Sequence, residues 1–339
     1  MGTVTKVARI VIRAPNWLGD AVMALPALEA VRRAHADATV VLAARASVAP
    51  LFEEDTPVRP DSVAVVDDKT EARVLRESGA DAILLLPNSF ASAWRASRAG
   101  IPERWGYRAG GRGWLLTRGV RRPRGRVHQI EYYRSLVAGL GIGATPPGGG
   151  RDIPRLAARP ETIEKADALL RQHGAPEGAV LVGFAPGAAY GHAKRWPPER
   201  VAGVLSGLRA RGVTPVLVGA AADRDTARAI ESSLPPGAPV VDLVGRTTLR
   251  QLVGVIARCA AFVSNDSGAM HVAAALGVPL TAIFGPTDER VTAPGGRADL
   301  IVSNVFCRPC LLRECPIDHR CMKRIDVDSV LRSITEHLE

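Results

Sequence analysis

The stretch Ala8-Arg9-Ile10-Val11-Ile12-Arg13-Ala14-Pro15-Asn16-Trp17-Leu18-Gly19-Asp20-Ala21-Val22 runs from an apolar segment through a short loop into a helix-period pattern. Ile10, Val11 and Ile12 are consecutive and β-branched, as in a strand covered on both faces. Beyond Asp20, the residues Ala21-Val22, Leu25, Leu28 and Val31 recur at three- and four-residue steps, one apolar helix face. Further strand candidates follow at Thr39–Ala43, Ser62–Val66 and Ala82–Leu86, then at Val180–Phe184, Thr214–Val218, Pro239–Asp242, Ala261–Ser264 and Leu280–Phe284. Helix candidates lie between the later strands, at Pro198–Arg211, Asp223–Ser232, Leu249–Arg258 and Gly268–Leu276. Strands alternating with helices predict an α/β protein with largely parallel sheets.

The two series are separated by Gly141-Ile142-Gly143-Ala144-Thr145-Pro146-Pro147-Gly148-Gly149-Gly150, which can hold neither a helix nor a central strand and reads as a linker. With 339 residues and about 100–200 residues per domain, the expected division is 1–155, 156–325 and a terminal helix at 326–339. Two doubly wound domains joined in this way predict a ligand cleft at the carboxyl ends of their strands. A content of 47% hydrophobic and 23% charged residues excludes a disordered chain. No apolar run approaches the ~18 residues of a membrane span. Met1 to Lys6 leads directly into the first strand without the apolar segment of a secretory signal, so a cytoplasmic protein is expected.

The net charge is +10, carried almost wholly by arginine, since only five of the 44 basic residues are lysine. An arginine-rich composition can reflect coding bias, with most side chains simply solvated. Between Arg95 and Arg134, however, eleven arginines face two acids, Glu103 and Glu131. That density makes a local anionic partner plausible.

Three loops carry candidate chemistry. In Ala14–Asp20, Asp20 at the start of a helix is either an N-cap or a general base at a strand's carboxyl end. In Ala185–Pro197, the small residues Gly187 and Ala188 let a phosphate approach the backbone, and Lys194 and Arg195 offer cations. Neither a Walker A order nor a GxGxxG pattern is present there. In Ser264–His271, a cap accounts for one of Asp266 and Ser267. It does not account for Asn265, Asp266, Ser267 and Gly268 together, with His271 one turn later. A helix N-terminus lined with hydroxyls and amides suits a diphosphate; His271 is either part of it or a structural histidine.

The segments Asn16–Val22, Leu86-Pro87-Asn88-Ser89-Phe90, Pro186-Gly187-Ala188 with Lys194-Arg195-Trp196-Pro197, and Asn265–Leu276 together resemble the ADP-heptose:lipopolysaccharide heptosyltransferases, glycosyltransferase family 9. The resemblance covers nearly the whole chain, and Pro87–Phe90 matches the type II branch. It implies a GT-B fold of two Rossmann-like domains, with the acceptor on the first and the nucleotide sugar on the second. It further implies inverting transfer of L-glycero-D-manno-heptose from ADP-heptose to the first heptose of the lipopolysaccharide inner core, without a catalytic metal.

Residue by residue, the resemblance makes Asp20 the base and Lys194 the cation that neutralises the diphosphate. Gly187, Ala188, Arg195, Asp266, Ser267, Gly268 and His271 would hold the donor, and Asp223 would lie near its ribose. Ala189-Tyr190 stands where some members carry threonines, so backbone amides of Gly187 and Ala188 would serve instead. On the acceptor side stand Asn16, Trp17, Asn88 and Ser89. Arg121, Arg122 and Arg124 would meet the carboxylates and phosphates of an acceptor in the inner leaflet, a peripheral membrane contact. The resemblance also implies that the terminal helix packs back on the first domain.

Of five cysteines, Cys259 ends a helix in apolar company, while Cys307-x2-Cys310-x4-Cys315-x5-Cys321 form a cluster. Four thiols so spaced fit a structural zinc site, reduced structural thiols or redox-dependent pairing. Two other functions remain in view: a heptosyltransferase using a different acceptor (Kdo2-lipid A or a later core heptose), and a basic, non-catalytic nucleotide-sugar or nucleic-acid binding protein. Nucleic acid is disfavoured, because the basic region has few aromatics placed for base stacking.

Overall fold

The computed structural model describes residues 7–143, 153–236 and 240–339, and the chain divides into two compact units, Met1–Arg155 and Leu156–Glu339. The predicted linker lies mostly outside the described residues, as does the start of the strand expected at Pro239–Asp242, of which Val241–Asp242 forms.

In the first unit the strands are β1 (Arg9–Arg13), β2 (Thr39–Ala44), β3 (Ser62–Val65), β4 (Ala82–Leu85), β5 (Glu103–Tyr107) and β6 (Arg118–Val120). Its helices are α1 (Leu18–Ala34), α2 (Glu71–Glu77), α3 (Phe90–Arg98) and α4 (Gln129–Gly139). The sheet order is β3-β2-β1-β4-β5-β6 and every pairing is parallel, with Val11 opposite Val41 on one side and Ile83 on the other. Helices therefore cover both faces, and Ile10, Val11, Ile12 and the whole of β4 are buried without an alternating pattern.

Two of these strands lie inside the arginine-rich segment. Trp105 and Tyr107 of β5 are buried, while Arg104 donates to the carbonyls of Ile101, Pro102 and Leu115, and Arg118 donates to Leu140 and lies over the Trp105 ring. The cluster is thus not a uniformly solvated basic face. Several of its arginines tie the edge of the sheet to the loops around it.

The second unit contains α5 (Pro160–Gln172), β7 (Leu181–Ala185), α6 (Pro198–Arg209), β8 (Thr214–Leu217), α7 (Arg224–Ser232), β9 (Val241–Asp242), α8 (Leu249–Ala257) and β10 (Ala261–Asn265). It continues through α9 (Gly268–Ala275), β11 (Leu280–Phe284), α10 (Glu289–Thr292), β12 (Ala298–Val302), α11 (Arg320–Lys323) and α12 (Val327–Leu338). The order is β12-β11-β10-β7-β8-β9, again parallel throughout. Its core stacks Trp196 on Phe184 at 6.4 Å, and the Trp196 indole donates to the Ile325 carbonyl.

The terminal helix has a place in the second unit. Asp326 caps it through the Ser329 amide, and its apolar face places Val330 and Ile334 in the second unit's own core, against α6 and β10–β12. Its buried Ser333 bonds to Thr281 of β11 and Asp299 of β12. The buried part of its apolar stripe is thus packed within the second unit. We expect Ile334→Ala to destabilise the second unit by about 2–5 kcal/mol, a cavity cost. Denaturant titration would show it as a lower midpoint, and an unchanged midpoint would contradict this packing.

Candidate functional site

In each sheet the strand order reverses once, between β1 and β4 and between β7 and β10. At such a point neighbouring connections leave on opposite faces, and the strand ends open onto a crevice. The four segments singled out in the sequence are the loops that follow β1, β4, β7 and β10.

At the first switch point, β1 ends in Arg13, a guanidinium 2% exposed that pairs with Glu71 (1% exposed) at 2.7 Å. It also donates to the Ala14 carbonyl and to Asn16 Oδ1 at 2.8 Å, so one buried cation shapes the loop leading to Asp20. Glu71 is shared with Arg95, and Arg95 reaches Asp68. Breaking such a buried pair from one side costs roughly 3–5 kcal/mol, because the remaining charge stays desolvated.

Asp20 is not a cap. The N-cap position of α1 is Trp17, 63% exposed, and Asp20 lies in the first turn with its carboxylate turned to α4. Gln129 Nε2 donates to Asp20 Oδ1 at 2.9 Å and the Tyr133 hydroxyl donates to the same oxygen at 3.2 Å. Oδ2 has no hydrogen bond from any described residue. Burial raises the Asp20 pKa above the usual carboxylate value, against the two hydrogen bonds, which lower it.

The loop after β4 is held by a second buried arginine. Arg112 donates to the carbonyls of Pro87 and Ser89, to the Ser92 hydroxyl and to Asn88 Oδ1, and to Tyr107 through Nε. Desolvation pulls its pKa down to about 10. The Asn88 amide donates onward to the Tyr132 hydroxyl at 2.7 Å, while Ser89 is the N-cap of α3. Both side chains expected on the acceptor side therefore have structural partners. Of the expected acceptor arginines, Arg121, Arg122 and Arg124 are exposed, with Arg122 over the Tyr132 ring.

The second switch point gathers most of the expected donor residues. Lys194 Nζ pairs with Asp266 Oδ2 at 2.7 Å, both largely buried, and lies over the Tyr190 ring. Arg195 bonds Asp223 at 3.2 Å and the Thr226 hydroxyl, and Asp223 Oδ2 accepts the Ala220 amide. The Asp223 carboxylate sits directly against the Gly187 Cα, where any Cβ would collide with it. Asn265 clamps the Pro186 carbonyl at 2.6 Å, joining the loop after β7 to the end of β10. Ser267 is the N-cap position of α9, yet its hydroxyl meets Ser264 and makes no cap bond, which leaves the first-turn amides from Gly268 onward open to an anion. Ala188 and His271 are buried beside these loops. Together these groups can bind an anion flanked by hydroxyls.

The four clustered cysteines lie near one another in the second unit. All five cysteines are free thiols, and among the described residues no three His, Cys, Asp or Glu side chains are placed to hold a metal ion. Cys321 is buried in the core, and Cys315 Sγ accepts the His319 amide at 3.4 Å. The segment packs on the Lys194 loop instead: Tyr190 donates to the Leu311 carbonyl, Ala193 N donates to Arg313 O, and Arg313 lies over Tyr190 opposite a residue, Gly191, that has no room for a side chain. This support, like the Gln129–Tyr133 pair, escaped the sequence reading. The i, i+4 spacing of Gln129 and Tyr133 was the available signal for the pair; nothing local announces Arg313.

Two α/β units with their polar loops at the switch points are the architecture of the GT-B glycosyltransferases. Residues 71–320 match the model of Glycosyltransferase family 9 (heptosyltransferase). The chain is 32% identical over 300 residues to lipopolysaccharide heptosyltransferase 2 of Escherichia coli strain K12, covering 84% of this chain and 85% of that one. The solved structure of E. coli ADP-heptose lps heptosyltransferase II superposes with a TM-score of 0.80 at 29% identity, over 97% and 98% of the two chains. A family 9 glycosyl transferase from Veillonella parvula shares the fold, with a TM-score of 0.84 at 22% identity and 98% of this chain covered. The chain belongs to glycosyltransferase family 9.

Gly187→Ala tests the second switch point. Its Cβ must displace the Asp223 carboxylate from Arg195 and Ala220, at an overpacking cost of about 1–3 kcal/mol. We expect a lower melting temperature together with weaker ADP binding by calorimetry; wild-type values for both would contradict the geometry.

Proposed function

We propose that the chain is an inverting heptosyltransferase that moves L-glycero-D-manno-heptose from ADP-heptose to the first heptose of the lipopolysaccharide inner core. The observation that carries this reading is the desolvated Asp20 carboxylate, bonded through one oxygen and open at the other, at the switch point of a unit whose partner unit sets Lys194, Arg195 and uncapped helix amides at its own. Similarity to the E. coli type 2 enzyme over most of both chains supports the same donor and acceptor.

In this mechanism, Asp20 Oδ2 takes the proton from an acceptor hydroxyl while that oxygen forms a bond to the anomeric carbon. The bond from that carbon to the diphosphate oxygen breaks on the opposite face, so configuration inverts and ADP leaves with the electron pair. Lys194 and Arg195 face the departing charge, and Asp266 holds Lys194 in place until the donor arrives. Gly187 and Ala188 offer backbone to the diphosphate, Ser267 and Gly268 offer the helix end, and Asp223 lies nearest the ribose, with His271 behind them. Asn16, Trp17, Asn88 and Ser89 shape the acceptor side. Arg121, Arg122 and Arg124 meet acceptor carboxylates and phosphates. No described helix is long and apolar enough to cross a membrane. We place the protein in the cytoplasm, working on an acceptor in the inner leaflet.

ADP release from ADP-heptose, with mono-heptosylated Kdo2-lipid A as acceptor, tests the reading. Asp20→Asn should lower it by on the order of 10²–10⁴-fold while ADP-heptose binding persists. Release only with non-heptosylated Kdo2-lipid A would move the chain to the first-heptose reaction. Release with neither would overturn the assignment.

The raised Asp20 pKa gives two linked outcomes. Activity should rise with pH through a limb above the ordinary carboxylate value, and Tyr133→Phe, which removes a bond to the charged form, should move that limb to higher pH. The stability sign is opposite. A carboxyl whose folded pKa is raised holds its proton more firmly in the native state, so its contribution falls as pH rises from the unfolded value through the folded one. Asp20→Asn should therefore melt at or above the wild-type temperature at neutral pH. A clearly lower melting temperature would contradict the burial cost.

A further inference from the structure

The first unit presents three exposed aromatic side chains that touch one another. Phe90 and Trp94, one turn apart on α3, lie 6.2 Å apart and nearly parallel, and Trp114 meets Phe90 at 6.1 Å. They are 42%, 42% and 70% exposed, whereas Trp105 and Trp196 are completely enclosed. A contiguous aromatic surface facing water is retained in soluble proteins mainly where it meets a partner.

The patch is held in place. Ser89 caps α3, and the buried guanidinium of Arg112 binds the carbonyls of Pro87 and Ser89 just before Phe90. Two residues after Arg112 comes Trp114, so one cation docks both aromatic segments together. Neither tryptophan takes part in those bonds, which leaves the rings free to meet another surface without disturbing the scaffold.

The surrounding charge is one-sided. Residues 87–129 hold ten arginines and a single acid, Glu103, whose carboxylate accepts from the Trp105 indole and the Thr117 hydroxyl. Arg104, Arg112 and Arg118 bond to backbone carbonyls. Arg98 ends α3 beside Trp94 and is exposed; the exposed Arg108 runs along Gly113 next to Trp114, and its amide bonds to β6 just before the Arg121–Arg124 run. Asp68 and Glu71 near α3 are both paired with Arg95, and tryptophan and phenylalanine with an apolar body and a local excess of cations match the interface of a bilayer that carries anionic headgroups. A protein partner of ordinary composition would call for acids as well, and a sugar platform would not call for the arginine excess.

We propose that Phe90, Trp94 and Trp114 form a bilayer-docking patch whose rings enter the interfacial layer of an anionic membrane, with Arg98 and Arg108 on its phosphates. Trp94 and Trp114 are not among the donor or acceptor residues named above, so the test of the patch is separate from the transferase assay.

The experiment is co-sedimentation of the full chain with vesicles of phosphatidylethanolamine and phosphatidylglycerol, compared with phosphatidylcholine alone, for wild type and Trp94→Ser/Trp114→Ser. We expect binding to the anionic vesicles that falls at least roughly tenfold in the variant and weakens further with salt, while the melting temperature is kept. Activity on a de-acylated, water-soluble acceptor should be unchanged in the variant. Equal vesicle binding by both proteins, or none by wild type, overturns the proposal. A variant that loses activity on the soluble acceptor as well overturns it in favour of a sugar-binding platform.

Discussion

Each unit depends on a reversal of strand order in an all-parallel sheet. Parallel pairing sends every strand's carboxyl end to one edge, and only at the reversal do adjoining connections diverge and leave space for a ligand. In this chain the reversals fall beside β1 and β7, the first strand of each sheet, and the loops after β1, β4, β7 and β10 inherit the space. The buried charges follow from that. Arg13 with Glu71 and Lys194 with Asp266 sit where backbone has left the sheet and its carbonyls and amides need partners.

Much of this was legible in advance, because strands buried on both faces are written as uninterrupted apolar runs. Ile10-Val11-Ile12, Ala82–Leu85 and Leu280–Phe284 could be placed from composition alone. The last two strands of the first sheet could not. Glu103–Tyr107 mixes charged and aromatic residues around a glycine, and Arg118–Val120 has three residues, so both were absorbed into an apparent basic surface. At the site, Asp20, Lys194 and Asp266 stood out, whereas the partners of Asp20 lie more than a hundred residues away, on a helix with no unusual composition. Local patterns report what a residue is and not which distant side chain will face it. The cysteine segment makes the same point: nothing in its spacing announces that the chain between the thiols is hydrogen-bonded to the Lys194 loop.

The arginine content also divides on inspection. Arg13 and Arg112 are interior residues, each with several donors in fixed directions and each serving carbonyls that no backbone amide reaches. Lysine, a point charge on a flexible stem, could not bridge them in the same way. Coding bias can supply arginines in number; the two that are fully interior, Arg13 and Arg112, lie at the first switch point.

The attachment of residues 311–313 to the Lys194 loop, and of α12 to β10 and β11, bears on how the protein comes off the ribosome. Every strand of the first sheet is made by Val120 and its last helix by Gly139, so that unit can close while the remainder is still being translated. The second unit has no such early point. Its Lys194 loop is translated more than a hundred residues before the segment that braces it, and β10 and β11 before the helix that covers them. A nascent chain thus carries a finished first unit beside an open second one, whose Val263 and Ile283 side chains await Val330 and Ile334. That interval is when the protein is most exposed to aggregation and most in need of a chaperone.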